Sequence, residues 1–537
     1  MLFWLGFLPL LGGFVGWLLE ACLQRSFTKV EQCRIEHNSR FFLLNKLSNE
    51  LCNFGSGWVA LFTMLGVFII ICVFGWQALT AFYLGQDWIE IVDLDWIPLL
   101  GIRFHLVMDG LSILMSALTS LIVVIAILYS RKESPGSSGL FYFCLLFMAS
   151  AVMMLFMAMD LFLWFFLWEA VAIPLYFLIT LWGRRESSAQ LRINGASKFL
   201  IYTQVSSLLM LISIISLALT NWQLTNQWTF DYNVLMKTPI SSYVEFMLML
   251  GFLAAFIVRL PLIPLHNWFI DAHIESSTTG SIMISGLLVN TAIYGLLRFV
   301  MPLFPNASLT IMPFMLILSL FTLFYTTFLC FSQTDIKRLV AYTHIALISF
   351  MTTVIYSGSL LAYQGVILQI ISVSLVIVGL FIISGILAER YLTRNINQFL
   401  GLKSHVKYLS TLTLFFILAV FGVPGTANFV GNFMVLYGSY TNSVLSAIFL
   451  MAGLILLSVS IIIRLQPMFY GAVDKSLLNK DKDSLAFSDL FLLIFILAIL
   501  IFIGLYPQWV LDMSYPAVNK IQQIISSAQT NLIKGDV

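Results

Sequence analysis

The sequence predicts an all-α integral membrane protein of fourteen transmembrane helices, with the seventh and twelfth helices discontinuous. Three observations lead there. Of the 537 residues, 60% are hydrophobic and only 10% are charged, against roughly 25% charged in soluble domains. Apolar runs approaching 20 residues recur along the chain, long enough as helices to cross about 30 Å of hydrocarbon. Lys and Arg concentrate in alternate connections between those runs, as expected of a multi-pass helical protein. Outer-membrane barrels show shorter, alternating strands instead, and backbone groups inside hydrocarbon must be hydrogen-bonded within the protein, which a helix achieves by itself.

The hydropathy pattern places the first seven spans at residues 2–20, 57–79, 104–129, 139–159, 161–182, 198–219 and 245–264. The other seven follow at 281–303, 309–331, 338–357, 362–388, 408–431, 443–464 and 486–506. The first run lacks a basic leader and a small-residue cleavage site, so it reads as a retained helix. An even count puts both termini on one side. The odd-numbered connections hold 20 of the 27 Lys and Arg residues, beginning with Arg25, Lys29, Arg34, Arg40 and Lys46 in a long first loop at 21–56. Short basic loops stay cytoplasmic, so both termini are expected outside the inner membrane of a bacterium, in the periplasm if the cell is Gram-negative. The chain then divides into 1–130, with three helices and the extended cytoplasmic loop, two five-helix segments at 131–303 and 304–464, and a last helix with its tail at 465–537.

A formal charge of only +2 argues against a nucleic-acid partner; the expected surroundings are lipid and other membrane proteins. Six cysteines at 22, 33, 52, 72, 144 and 330 form no C-x-x-C pair and read as packing residues. A metal site formed by Cys22, Cys33, Cys52 and His37, which share one loop, is the alternative. The outer segment 80–103 carries Asp87, Glu90, Asp93 and Asp95 among Trp88 and Trp96, the composition of an interfacial edge. No Gly-rich phosphate cradle, nucleophile elbow or zinc signature is present in the sequence, so neither a catalytic site nor a cofactor site is expected in this chain.

Two ionisable residues fall deep inside predicted spans, Glu169 in the fifth and Arg259 in the seventh. A charge at mid-helix costs on the order of 3 kcal/mol on insertion scales, so each needs a partner or a wet cavity. The expectation is that they meet, as part of a transport path or as an ion pair that fixes helix register. Pro261 and Pro264 interrupt the seventh span and are followed by His266, Asp271 and His273; Gly422, Pro424 and Gly425 interrupt the twelfth, near Asn428 and Asn432. Proline removes a backbone donor and clashes with the preceding turn, and freed polar groups at membrane depth survive only against protein or water. If the fourth to eighth and ninth to thirteenth helices are repeats, the breaks fall at equivalent positions, as in inverted-repeat transporters; a plain kink at each is the other reading. In F-S-Q-T-D-I-K-R-L-V-A-Y-T at 331–343, Thr334 or Asp335 is placed to cap the tenth helix, and Lys337 and Arg338 to anchor it at the headgroups.

Taken together, these segments resemble the antiporter-like, proton-translocating subunits of respiratory complex I, most closely the chain M group of NADH-quinone oxidoreductase. The similarity runs in order through H-L-V-M-D-G-L-S at 105–112, W-E at 168–169, P-L-Y-F-L-I-T-L-W-G at 174–183 and A-S-K-F-L-I-Y-T-Q at 196–204. It continues through P-L-H-N-W-F-I-D-A-H at 264–273, A-I-Y-G-L-L-R-F at 292–299, Q-T-D-I-K-R-L at 333–339, L-A-Y-Q-G at 361–365 and G-V-P-G-T-A-N-F-V-G-N-F at 422–433. The long 21–56 connection does not fit the family, whose first connection is short. The resemblance implies fourteen core helices with two inverted five-helix repeats, neighbouring antiporter-like subunits, and NAD, FMN, iron-sulfur clusters and quinone held by partner subunits rather than by this chain.

It also implies a protonatable axis of Glu, Lys, Lys, His, His and an acidic residue across the fifth, seventh, eighth, tenth, eleventh and twelfth helices. Such an axis works because burial and neighbouring charges can bring Glu, Lys and His into the range where they gain and lose protons. Here Glu169 is retained, whereas Arg259 stands for the first Lys, Asn290 for the second, Leu347 and Val373 for the two His, and Asn432 for the acid. His344 lies three residues before Leu347. A guanidinium stays charged and an amide does not titrate, so the expectation is a subunit that keeps its place in the complex while its own proton path is weakened or lost. Alternatives are a subunit of a paralogous cation/proton antiporter or of an ion-coupled inorganic-carbon transporter, and a transport-inactive structural paralogue.

Overall fold

The computed structural model describes residues 2–32, 38–83, 88–133, 138–356, 359–399, 401–404, 406–471 and 486–534, with the side chains of 23–54, 80–83, 404 and 531–534 outside that description. Among the described residues, thirteen helices are long and apolar enough to cross a membrane. They coincide with every predicted span except the twelfth, which consists of two shorter helices, Lys407–Phe421 and Ala427–Asn442. The seventh is likewise two pieces, Ser242–Arg259 and Asn267–Glu275. The second piece of the twelfth runs eleven residues past the predicted end at 431.

Two long helices, Thr278–Leu303 and Leu360–Tyr391, are wholly buried over their most apolar stretch and form the centre of the bundle. Helices such as Ala189–Thr225 and Val444–Tyr470 bury only a third or so of theirs, which leaves an apolar outer surface suited to hydrocarbon. Polar residues on the central helices are therefore enclosed by protein. Helix starts are set by short side chains that take the orphan first-turn amides. Asp160 accepts from Phe162 and Leu163 N–H, Ser277 from Gly280, Asp335 from Lys337 and Arg338, and Ser359 from Ala362. Asp335 is thus the cap of the tenth helix, and Thr334 is not.

Four expectations change. Residues 21–32 and 38–56 are not a loop: the first two helices extend as Leu2–Gln32 and Asn38–Tyr83. Polarity ended the predicted spans there, but a helix continues past the hydrocarbon wherever its residues are ordinary helix formers. Cys33 and His37 lie outside the described residues, as does the side chain of Cys52, and no metal-binding cluster occurs among the described residues. The segment before the third helix is an antiparallel hairpin, Glu90–Ile97 with Ile102–Met108, whose Arg103 pairs with Asp93 at 3.0 Å. The third helix consequently runs Gly110–Glu133, later than predicted. After the last predicted span, Gln508–Lys534 forms a further helix where a tail was expected; it packs on the helices beginning at Gly110 and ending at Tyr391.

Candidate functional site: a polar seam between two broken helices

At the first break, Leu260–His266 leave helical geometry around Pro261 and Pro264, and the structure compensates locally. The indole N–H of Trp268 donates to the freed Val258 carbonyl at 2.9 Å, and Ile263 N–H donates to Thr322 Oγ1 at 3.2 Å. At the second break, Gly422 takes a left-handed conformation at φ 74° and Gly425 at φ 96°, with exposed Pro424 between them. Asn428 Nδ2 donates to the Ala419 carbonyl at 2.8 Å, which also receives the Gly422 N–H at 3.1 Å. Gln369 Nε2 donates to Asn428 O at 3.2 Å and to Asn432 Oδ1 at 2.7 Å. A Cβ on Gly422 would stand 2.7 Å from Asn432 Nδ2, so that turn admits only glycine.

Arg259 ends the first half-helix and is buried. Its Nη2 donates to the Trp168 carbonyl at 3.1 Å, its Nη1 to Thr291 Oγ1 at 3.4 Å, and its Cζ lies 3.5 Å from the Trp168 ring centroid. The half-buried Glu169 carboxylate acts on it through space, but the two form no direct ion pair among the described contacts. The expected contact pair is therefore replaced by a guanidinium held between a tryptophan face, a carbonyl and a hydroxyl. The indole face and the two neutral acceptors hold the planar cation, while its buried Nε has no hydrogen-bond partner.

The other substituted positions are all buried. Asn290 Nδ2 donates to Gly286 O at 2.5 Å and to Ser374 Oγ at 2.8 Å, beside a π-helical turn at Ile284–Leu288 that loosens the local carbonyl ladder. Leu347 and Val373 are core residues with no polar group to offer. His344 is buried near Phe269, ring centroids 5.6 Å apart, and its Nδ1 has no partner. His273 stacks on Phe381 at 4.6 Å, and neither ring nitrogen has a hydrogen-bond partner. His266 is buried with its ring 6.1 Å from Tyr325. Asp271 is separated from this group: it is partly exposed and binds Lys198 Nζ at 2.6 Å, tying the 189–225 helix to the second half of the broken one.

Sequence reasoning missed three features. Lys337 is not a headgroup anchor; it is buried, and its Nζ donates to Ser276 O at 2.8 Å and Ser277 O at 3.3 Å, closing the C-terminal end of the Asn267–Glu275 helix. Arg298 and Asp109 form a buried ion pair at 2.7 Å that joins the end of the central Thr278–Leu303 helix to the start of Gly110–Glu133. Both lie in quoted motifs, and the D-G before an apolar run was the available signal for a cap. His105 meets Asp231 at 2.6 Å, linking the hairpin to the connection before the seventh helix.

Residues 158–458 match the transmembrane family described as NADH:quinone oxidoreductase/Mrp antiporter. Curated relatives include NADH-quinone oxidoreductase subunit M of Escherichia coli strain K12, 40% identical over 523 residues that cover 97% of each chain. The subunit of the same name from Pseudomonas aeruginosa is 38% identical over 98% of this chain and 99% of that protein. Among solved structures, a chain of respiratory complex I from Thermus thermophilus with bound NADH superposes with a TM-score of 0.81 at 21% identity, covering 98% of this chain and 100% of that one, and so shares the fold. On a match to more than half its length and alignment of nearly all of it, the chain belongs to the NADH:quinone oxidoreductase/Mrp antiporter transmembrane family.

Proposed function

We propose that this chain is a membrane-arm, antiporter-like subunit of a proton-translocating NADH:quinone oxidoreductase and that its own proton path is interrupted. The first half of the reading rests on 40% identity over 97% of the chain to a subunit so named. The second rests on geometry: the amides of Asn290 and Asn432 are committed to Ser374 and Gln369, and Arg259 is clamped on Trp168. A relay needs groups that release a proton at working pH, and these three positions hold groups that do not. His273 and His344 remain as buried titratable groups, His273 within electrostatic reach of both His344 and Lys337, with Pro261, Pro264 and Pro424 opening the helices on either side.

NAD, FMN, iron-sulfur clusters and quinone belong to partner subunits in this reading, and neighbouring antiporter-like subunits flank the chain. The broken twelfth helix completes fourteen crossings, the two breaks mark equivalent points of inverted repeats at 131–303 and 304–464, and both termini face outward from a bacterial inner membrane, the arrangement that keeps the basic connections inside. The test is to purify the NADH-oxidising complex containing this chain, revert Arg259→Lys, Asn290→Lys and Asn432→Glu together, and count protons moved per NADH. The unaltered complex should move fewer than the reverted one; a full count in the unaltered complex would refute the interruption.

The family description also names Mrp antiporters, which keeps a cation/proton antiporter assembly as a second reading. Co-purification separates the two. Dehydrogenase and quinone-site subunits support the first, and a small set of membrane subunits alone supports the second.

A further inference from the structure

The basic connections of the chain converge on an open cavity of about 590 Å³, at the end of the bundle where the Asn267–Glu275 helix stops. Its lining includes six cations, Lys132, Arg184, Arg185, Arg192, Lys337 and Arg394, against three carboxylates, Glu133, Glu186 and Glu389. Two of the cations are matched, Lys132 by Asp489 outside the lining and Arg184 by Glu186, whereas Arg185, Arg192, Lys337 and Arg394 meet no carboxylate at ion-pair distance among the described residues. Glu186 takes Arg184 at 2.8 Å, and Glu133 uses one oxygen to receive the N–H groups of Thr278 and Thr279. Lys337 and Arg394 donate instead to neutral carbonyls, those of Ser276 and Ile274. Arg192 Nε is buried without a partner.

Arg184, Arg394 and Lys337 lie within electrostatic reach of one another. Burial, then the like charge of Arg184, pushes the Arg394 guanidinium below its ordinary value despite the opposing carboxylates of Asp335, Glu186 and Glu275. Burial and like charge thus outweigh the nearby carboxylates at Arg394, and an anion in the cavity would offset the remainder. Leu181 and Leu392 at the rim are 52% and 73% exposed, so an apolar edge adjoins the cations. Arginines in such an arrangement match the several acceptor oxygens of a phosphate, and basic pockets between transmembrane helices recognise anionic headgroups in this way.

We propose that this cavity binds a phosphate group, supplied by the head of an anionic phospholipid or by free phosphate. The site is independent of the proton-path reading, because none of the substituted axis positions lines it. The test uses the full chain purified in a neutral detergent, as wild type, as Arg184→Gln/Arg394→Gln and as Arg192→Gln. One arm titrates phosphatidylglycerol and, as a control, phosphatidylcholine, counting retained lipid by native mass spectrometry. The other titrates inorganic phosphate and follows thermal unfolding.

The wild type should retain phosphatidylglycerol in preference to phosphatidylcholine or be stabilised by phosphate. The first result assigns the lipid as the source, the second the free anion. Each lost charge-assisted contact should weaken binding about tenfold, so the double variant should lose on the order of a hundredfold and Arg192→Gln about tenfold. The single variant decides the matter if the double one does not fold. Equal behaviour of the proteins in both arms would overturn the site.

Discussion

Replacing Asp109 by Asn should isolate the electrostatic part of the buried pair with Arg298, because the two roles of Asp109 use different oxygens. Oδ2 meets Arg298 Nη1 at 2.7 Å, and Oδ1 accepts from Ser112 N–H at 2.9 Å at the start of the Gly110–Glu133 helix. Asparagine caps a helix about as well as aspartate, so the cap survives and the charge partner is lost. Both side chains are about nine-tenths buried, and truncating one member of such a pair costs about 3–5 kcal/mol, mostly from the charge left behind. The lower end, about 3 kcal/mol, applies here because Arg298 still lies 5.4 Å from the Trp88 ring centroid.

Removing both charges, as Asp109→Asn with Arg298→Met, should restore about 2 kcal/mol of that loss, since an apolar replacement leaves no unpaired charge. The assay is detergent-induced unfolding of the purified full chain at pH 7, read by tryptophan fluorescence across the four-protein cycle. Salt should change the coupling little, as enclosed pairs are poorly screened. A cost below about 1 kcal/mol for Asp109→Asn, or a double variant as unstable as the two single losses added together, would refute the reasoning.

Two further outcomes follow from the same kind of argument. Trp268→Phe keeps the ring beside Phe199 but removes the donor to Val258 O; leaving that carbonyl bare should cost about 1–3 kcal/mol and speed amide exchange at Leu262 and Leu265, whose N–H groups bond within the break. Asp160, just before the fifth helix, is raised from 3.8 to about 6 by burial, against the opposing backbone N–H groups of Leu163, Arg103 and Phe162. A carboxyl whose folded value lies above its unfolded one favours the folded state in its protonated form. Its contribution, about 3 kcal/mol for a rise of about two pH units, is present below pH 4 and lost as pH rises through 6. The stability difference between wild type and Asp160→Asn should change across that window, and a flat difference between pH 4 and 7 would contradict it.

Much of the fold was legible because crossing hydrocarbon demands long apolar runs, which mark the spans along the chain. The breaks were legible for an equally local reason: Pro261, Pro264 and the Gly422, Pro424, Gly425 set cannot continue a helix whatever surrounds them. The hairpin was not, because Phe104 to Met108 is as apolar as the helix it precedes, and Asp93 and Asp95 disguise the opposite strand as a polar edge. The first connection was misread because hydropathy reports where the membrane ends and says nothing of where a helix ends.

Lys337 shows the sharper limit. Its sequence neighbourhood, with Asp335 before it and Arg338 after it, is that of a surface turn, and only the distant Ser276 and Ser277 carbonyls make burial of the ammonium tolerable. The placement of Arg259 on Trp168 was equally invisible: sequence gives the two charges but not which face of the guanidinium an indole will cover. What could be read were the residues at the expected axis positions, Arg259, Asn290, Leu347, Val373 and Asn432, since that depends on identity and on the resemblance, not on packing.

The two breaks solve one problem with the same device. In each, a side chain just beyond the interruption reaches back to a carbonyl of the last turn before it: Trp268 to Val258, ten residues earlier, and Asn428 to Ala419, nine earlier, where it joins the Gly422 N–H. Each second half-helix also carries a residue of the substituted axis or its surroundings, His273 in one and Asn432 in the other. Each break is thus bridged by a donor from its own second half-helix. None of the hydrogen bonds that hold the breaks requires an ionised group at 259, 290 or 432. The integrity of the breaks therefore does not depend on charge at those three positions.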